Sequence, residues 1–192
     1  DATDNAAQIP IGIKGSQLDN TSFLHLGYTN DTTMRFSFNQ TGSDNEQDYT
    51  DTCGSLDEWA HWAATYDGAS NQAKLDKNGV LVGMQTFAND CDGAGDLTLG
   101  YSGHASQYFE VKLNDVRIWN TVRSDEQIAD NYNTTLTGNQ DGTLIANYTF
   151  EETTGDVIHT ANAGTYDGPV SGAPRVDMSP TIQGNTFSIQ EN

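Results

Sequence analysis

Apolar and polar side chains alternate over short stretches of this chain, and polar turn residues separate the stretches. Residues 23–28 and 34–38 follow a period of two, which is typical of strands with one buried face. Asn30 and Asp31 lie between them, and both residue types tolerate the backbone of a tight turn. The two stretches therefore predict an antiparallel hairpin.

Comparable stretches continue almost to the end of the chain. Asn78 and Gly79, a pair typical of a two-residue hairpin turn, separate two of them. The stretch that ends at Trp119 is long, and we expect it to bend. The polar stretches 40–57 and 88–96 are predicted to be loops, and the first is unusually long for a connection. Besides the hairpin, strands are predicted over residues 9–14, 59–66, 72–76, 80–87, 97–101, 108–119, 143–150, 157–159 and 168–170.

One segment has a helical pattern. Ser124 is a candidate N-cap, and two acidic residues follow it in the predicted first turn. The apolar or aromatic side chains of Ile128, Tyr132 and Leu136 recur at every fourth position. Many short strands with one short helix are typical of sandwiches and jelly rolls. The pattern therefore predicts an all-β fold, a two-sheet antiparallel jelly-roll sandwich with one short helix.

The charge of the chain narrows the set of partners. Eight basic residues stand against 27 acidic ones, which gives a formal net charge of −19. Such a surface repels nucleic acid and anionic lipid headgroups, so we expect neither partner. No apolar run is long enough to cross a membrane. The acidity suits a calcium-rich medium or a neutral or cationic ligand, and it can also simply keep the chain solvated.

The two cysteines, Cys53 and Cys91, lie in the predicted polar loops. An even pair without CxxC spacing indicates one disulfide in an oxidising compartment, hence a secreted or cell-surface protein. Two free thiols are the alternative.

Six motifs in order resemble one family. Residues 58–68 read E-W-A-H-W-A-A-T-Y-D-G, 74–82 read K-L-D-K-N-G-V-L-V, and 97–100 read L-T-L-G. Residues 115–120 read D-V-R-I-W-N, 123–128 read R-S-D-E-Q-I, and 144–155 read L-I-A-N-Y-T-F-E-E-T-T-G. Together they resemble the laminin-G-like (concanavalin A-like) jelly rolls.

This resemblance implies the fold more firmly than the ligand. Relatives bind glycans, proteins or steroids, often beside one Ca²⁺ at a loop rim. The first strands of the family would precede Asp1 and are not in the sequence, which leaves an edge for another segment to supply.

The end of the chain has a different character. Residues 185–192 read N-T-F-S-I-Q-E-N, which resembles the opening strand of a cadherin-like repeat. We therefore divide the chain into a jelly-roll domain, residues 1–173, and a linker with the possible start of a following repeat, residues 174–192. This organisation predicts a monomeric unit of a longer multidomain chain, such as a bacterial surface adhesin.

Calcium is the predicted cofactor, because it takes oxygen ligands from carboxylates, amides and carbonyls. Four such residues share the second polar loop, and a Cys53–Cys91 disulfide would bring acids of the first loop beside them. The alternative is that both loops are acidic only because they are solvated. The candidate ligands are Asn89, Asp90, Asp92 and Asp96, with Asp48, Asp51 and Asp57.

A sugar site pairs polar side chains with an aromatic ring. The candidates in or beside the predicted rim loops are Tyr49, Tyr101, His104 and Tyr108. We expect Trp59, Trp62 and Trp119 to pack in the core. Asp115 and Arg117, two positions apart, are expected to form a structural ion pair.

Catalysis is not expected. Glycan-cleaving relatives use paired carboxylates that face one cleft, and no predicted strand carries acids at a period of two. Asp44, Glu46 and Asp48 do alternate, but within a predicted loop. The sequence thus predicts an extracellular module for Ca²⁺-dependent recognition of a glycan or cell-surface glycoconjugate. The alternative is a structural spacer or protein-binding domain, and a polysaccharide-degrading enzyme is the least favoured class.

Overall fold

The structure is a computed structural model of the whole chain. It describes residues 8–14, 24–30, 32–38, 46–50, 59–88, 96–100, 112–136, 142–150, 157–158, 167–169 and 188–190. The first strands in chain order are β1 (Gln8–Lys14), β2 (Leu24–Asn30), β3 (Thr33–Phe38), β4 (Glu46–Thr50), β5 (Ala60–Asp67), β6 (Gln72–Lys77) and β7 (Val80–Thr86). They are followed by β8 (Asp96–Leu99), β9 (Lys112–Asn114), β10 (Val116–Trp119), helix α1 (Asp125–Asn131), β11 (Leu144–Tyr148), β12 (Val157–Ile158), β13 (Gly168–Pro169) and β14 (Ser188–Gln190).

The described strands form two five-stranded sheets and two small ribbons. The first sheet has the order β4-β3-β2-β1-β8, and the second has the order β7-β6-β5-β14-β9. The ribbons are β10-β11 and β12-β13. The recorded strand pairs are antiparallel. The predicted all-β class with one short helix is confirmed.

Aromatic side chains fill the core. Phe38 packs edge-on against Tyr66 and Phe87, with ring centroids 4.7 and 4.9 Å apart. Trp62 is fully buried, and its indole Nε1 donates to the Tyr28 hydroxyl over 3.2 Å. Burying one large apolar side chain stabilises a fold by about 1.5–3 kcal/mol, so these rings dominate the energetics of the core.

The Asn78-Gly79 turn is confirmed. Both residues have positive φ, 51° and 76°, as the two-residue turn between β6 and β7 requires. A Cβ on Gly79 would lie 2.6 Å from the Tyr132 ring, so the glycine also lets α1 approach the hairpin. The Asn78 side chain accepts a hydrogen bond from the His61 backbone N–H, which fixes the turn against β5.

Helix α1 begins where the sequence predicts. The Ser124 hydroxyl accepts from the Gln127 backbone N–H, and the Gln127 side-chain oxygen accepts from the Ser124 backbone N–H, which completes a capping box. Ile128 is buried, as its spacing predicts. The helix ends at a C-cap on Tyr132, so Leu136 lies beyond it, and the predicted third turn is wrong.

The polar stretch 40–57 is not one loop, because it contains β4. The outward acids Glu46 and Asp48 form ion pairs with Arg35 of β3, at 2.8 and 2.7 Å. Tyr49 faces the core and lies 5.9 Å from the Trp62 ring. Cross-strand charges and one inward ring compensate for the low strand propensity of this segment.

The predicted bend before Trp119 is present at Asp115. This residue has φ 50° and separates β9 from β10.

Strand β14 lies near the end of the chain and belongs to the second sheet. Ile189 pairs with Ala60 of β5 and with Leu113 of β9. That a cadherin-like repeat begins in residues 174–192 stays a prediction.

Candidate functional site

Helix α1 and the face of β5 opposite the core enclose a small cavity of about 70 Å³. Successive residues of a strand point to opposite faces, so His61, Ala63 and Thr65 share the face away from buried Trp62. The lining is completed by Ala64, Arg117, Trp119, Arg123, Gln127, Ile128, Asn131 and Tyr132.

A wider and more polar hollow of about 600 Å³ adjoins this cavity along the start of α1. It is lined by Thr65, Asp67, Gln72, Lys74, Val122, Arg123, Ser124, Asp125, Glu126 and Gln127. Three residues, Thr65, Arg123 and Gln127, line both spaces. We call the two together the α1 groove.

Trp119 lines the small cavity, and its neighbour Arg123 lines both parts of the groove. The Arg123 guanidinium carbon lies 4.1 Å from the centroid of the Trp119 ring, a cation–π stack. Trp119 is half-buried, whereas we expected it in the core. The groove therefore has an aromatic wall that the sequence does not predict.

Lys74 of β6 bridges the wide part of the groove. Its Nζ lies 2.6 Å from a carboxylate oxygen of Asp125 in the first turn of α1. The Asp67 carboxylate closes its own turn by accepting hydrogen bonds from Ser70 and the Ala69 N–H, and these bonds lower its pKa. Both carboxylates are thus engaged by neighbours.

The predicted pair of Asp115 and Arg117 is confirmed and is buried. Arg117 donates from Nε to Asp115 over 2.9 Å, and its other nitrogens donate to the backbone carbonyls of Asn131 and Thr134. Burial lowers the pKa of Arg117, and the Asp115 charge opposes that shift. This side chain ties β10 to the carboxyl end of α1, where cations are favoured.

Among the described residues, two further titratable groups are buried with no hydrogen-bond partner on their side chains. Both ring nitrogens of His61 lack a partner, and burial, aided by the Arg117 charge, lowers the pKa of the ring to about 3. Both oxygens of Asp76 on β6 lack one too, and burial, with the Asp125 charge, raises its pKa to about 6 against the influence of Lys74. His61 is therefore neutral at pH 7, and Asp76 is costly to ionise.

Three of the predicted ligand residues lie in described strands. Asp48 accepts two hydrogen bonds from Arg35, so a cation there would have to displace the guanidinium. Tyr49 packs against the core, and the backbone of Asp96 begins β8. Among the described ranges, no three His, Cys, Asp or Glu side chains form a group that could hold a metal.

The remaining candidates lie outside the described residues, and their roles stay predictions. They are Asn89, Asp90, Asp92, Asp51, Asp57, Tyr101, His104 and Tyr108, together with Cys53 and Cys91.

The sequence matches the family model described as "Concanavalin A-like lectin/glucanases superfamily" over residues 1–129, and the chain belongs to this superfamily. It is also similar to a crystal structure described as a "putative carbohydrate binding protein from Bacteroides ovatus ATCC 8483", with a TM-score of 0.57 and 19% identity. The similarity covers 88% of this chain and 53% of the other, so this chain spans about half of that protein.

The comparison with curated proteins gives no match. Within the described part of the chain, no helix is long and apolar enough to span a membrane.

Proposed function

We propose that this domain is a non-catalytic carbohydrate-binding module and that the α1 groove holds the sugar. The observation that carries the proposal is a half-buried Trp119 ring, stacked with Arg123 on one face, that lines the same concave surface as the neutral polar side chains of Gln127 and Thr65. A sugar places its C–H face on an aromatic ring and its hydroxyls on amides and hydroxyls, and few other ligands need both at once.

The ligand class follows from charge. The domain carries a formal charge of −19, so long-range repulsion disfavours sulfated or uronic glycans. Within the groove, Lys74 and Asp125 already neutralise each other. A neutral glycan is therefore the favoured ligand.

Binding rather than hydrolysis fits the described carboxylates. In the groove, Asp67 and Asp125 are engaged by their neighbours, and Glu126 is exposed at the start of α1 with no second free carboxylate opposite it among the described lining residues. The carboxylate with a raised pKa, Asp76, is fully buried. A general acid needs both a raised pKa and reach to the scissile bond. If reducing ends were released from a bound glycan, the domain would be an enzyme instead.

Calcium dependence and a place on the cell surface complete the proposal. Support for calcium comes from the acidic loops, whose oxygens suit this ion, and support for the surface comes from the cysteine pair. Mass spectrometry of the unreduced chain tests the pairing of Cys53 with Cys91. Two free thiols would contradict it.

The test of the function is a screen on an array of neutral glycans, followed by calorimetric titration of the strongest binder. We expect Trp119→Ala to weaken binding at least tenfold, because stacking on an aromatic ring contributes roughly 1–3 kcal/mol where it has been measured on bases. Trp119→Phe keeps a ring and should retain most of the affinity. Leu97→Ala, on β8 of the other sheet, is the matched control and should not change it.

A further inference from the structure

The two parts of the α1 groove differ in size and in the chemistry of their walls. The lining of the small cavity, of about 70 Å³, includes the apolar or aromatic side chains of Ala63, Trp119, Ile128 and Tyr132. The hollow of about 600 Å³ beside it is lined mainly by polar and charged side chains. A glycan that occupies the groove therefore meets a small apolar space next to a broad polar one.

The volume of the small cavity limits which part of a sugar it can hold. A dry cavity of about 150 Å³ accommodates benzene, with its six carbons, so each heavy atom needs roughly 25 Å³. On this scale, the cavity of about 70 Å³ has space for about three heavy atoms. A whole pyranose ring with its hydroxyls is too large, whereas a small substituent of the ring, such as an acetyl group, fits.

His61 supplies a polar group in the wall of this cavity. It is 4% exposed, and both of its ring nitrogens lack a partner. Burial lowers the pKa of the ring to about 3, so at pH 7 the neutral imidazole offers one donor and one acceptor. The side chains of Arg117 and Asn131, which also line the cavity, already donate hydrogen bonds within the protein. A buried donor without an acceptor is costly, so a ligand oxygen beside His61 would be favoured.

Three common sugar substituents are small enough for this space. The methyl group of a deoxy sugar would leave His61 without a partner. A hydroxymethyl group can bond to His61, but it brings no methyl group to the apolar walls. The acetyl part of an acetamido group does both, because its carbonyl accepts from an imidazole N–H and its methyl group suits Ala63 and Ile128.

The charges around the cavity also favour a carbonyl oxygen. Among the described residues that line it, the charged side chains are Arg117 and Arg123, and no carboxylate joins them. In this field the negative end of a carbonyl dipole is stabilised, whereas the ammonium group of a free amino sugar is repelled. The net charge of −19 attracts cations at long range, so rejection of an amino sugar would be a local property of the cavity.

We infer that the small cavity is a subsite for the acetamido group of an N-acetylhexosamine, with the carbonyl on His61 and the methyl group against Ala63 and Ile128. This inference rests on the proposed function, since it adds which glycan the α1 groove holds. The sugar ring then lies beside Arg123 and Gln127, which line both parts of the groove, and the rest of the glycan occupies the wide hollow.

The experiment is an NMR titration of the full chain with the methyl glycosides of N-acetylglucosamine and N-acetylgalactosamine. Each is compared with the sugar that carries a hydroxyl in place of the acetamido group. We expect at least one acetamido sugar to bind at least tenfold more tightly than its counterpart, because it gains a buried methyl group and a hydrogen bond. The matching amino sugar, charged at about pH 6, should bind no more tightly than the hydroxyl form.

Variants of the cavity wall test the placement. Ala63→Val adds two methyl groups to a space for about three heavy atoms, so it should reduce the preference for the acetamido sugar at least fivefold. His61→Leu should reduce the preference too, whereas His61→Gln, which keeps a donor and an acceptor, should retain part of it. Met84→Ala, on exposed β7 of the same sheet, is the matched control and should leave the preference unchanged.

The outcomes separate this subsite from the sugar site as a whole. Equal affinities for the acetamido and hydroxyl sugars, with Trp119→Ala weakening both, would overturn the subsite and leave the proposed function standing. A preference that survives both Ala63→Val and His61→Leu would also overturn it, since the acetyl group would then lie elsewhere. So would the lack of a saturable shift with either acetamido sugar, and the proposed function falls with it only if the glycan array gives no binder that depends on Trp119.

Discussion

The two buried layers of this domain differ in chemistry. Between the sheets, aromatic rings pack at 4.7–6.1 Å, and the polar Trp62 indole nitrogen has a partner. Between α1 and the second sheet, the buried groups include His61, Asp76 and Arg117, and a cavity separates some of them. The first layer is mainly aromatic and supplies stability, although Gln47 Oε1, beside Gly83, lacks a hydrogen-bond partner among the described residues. The second layer concentrates buried titratable groups, whose burial costs free energy.

This difference indicates where function resides. A core optimised for stability seldom keeps unsatisfied polar atoms, and perturbed pKa values concentrate at functional sites. The aromatic core would hold any member of this fold together. The layer under α1 carries the features that a ligand could use.

The largest expected effect is the difference in unfolding free energy lost when one tryptophan of each layer is replaced by alanine. Trp62→Ala should lower the free energy of unfolding by about 3–5 kcal/mol, because it leaves a cavity in a packed core. Trp119→Ala removes a half-buried ring beside existing space, and we expect a loss of about 1–2 kcal/mol. Urea denaturation measures both. Equal losses would mean that the groove is as much a part of the core as Trp62.

The buried ion pair gives the next effect. Asp115→Asn keeps a residue that tolerates φ 50° but leaves the Arg117 charge buried without its partner. We expect a loss of about 2–4 kcal/mol, whereas Asp48→Asn, in an exposed pair, should cost less than about 1 kcal/mol. A loss of less than about 1 kcal/mol for Asp115→Asn would contradict the structural role of this pair. Denaturation at two salt concentrations separates the cases, since only the exposed pair is screened.

The pH dependence of stability should show two opposing contributions. Neutral His61 stabilises the fold above about pH 6.5, and this contribution is lost as pH falls toward its folded pKa of about 3. Asp76 contributes in the opposite sense. Its carboxyl group ionises near pH 4 in the unfolded chain but near pH 6 in the folded domain, so the free energy of unfolding falls as pH rises between these two values. The two slopes largely cancel between pH 4 and 6.

Replacing either residue should therefore reveal the pH dependence that the other contributes. Asp76→Asn should make the domain lose stability on acidification from pH 6 to 4, by up to about 1.4 kcal/mol per pH unit. His61→Gln should make it gain stability over the same range. Melts at half-unit steps of pH measure this, and parallel curves for both variants and the parent chain would contradict the burial of these groups.

The smallest effect concerns calcium. If the acidic loops bind the ion only in the folded state, millimolar Ca²⁺ should raise the melting temperature measured in EDTA by a few degrees, because an ion at about three times its Kd adds roughly 0.8 kcal/mol. Magnesium at the same concentration is the control for screening. An unchanged melting temperature would remove calcium from the proposal and leave the α1 groove untouched.

The sequence predicts the fold because period-two alternation and turn chemistry are local. Asn78-Gly79 and the Ser124 cap act within a few residues, and both are found where expected. The sequence does not predict strand β4, because its residues are polar. What holds it is an ion pair with Arg35 and a ring contact with Trp62, and neither is adjacent in sequence.

The groove could not be predicted in the same way. Its residues come from β5, β6, β10 and α1, and they meet only because the helix returns over the sheet. Trp119 resembles a core residue by its position in an apolar strand. It is half-buried because β10 pairs with one described neighbour and ends at the groove.

The most direct test of the central claim is an NMR map of the domain with its strongest neutral glycan. We expect shifts centred on Trp119, Arg123 and Gln127, with weaker changes at Thr65 and Gln72, and loss of these shifts in Trp119→Ala. Shifts confined to other parts of the chain, with the groove unchanged, would contradict the assignment of the α1 groove as the sugar site.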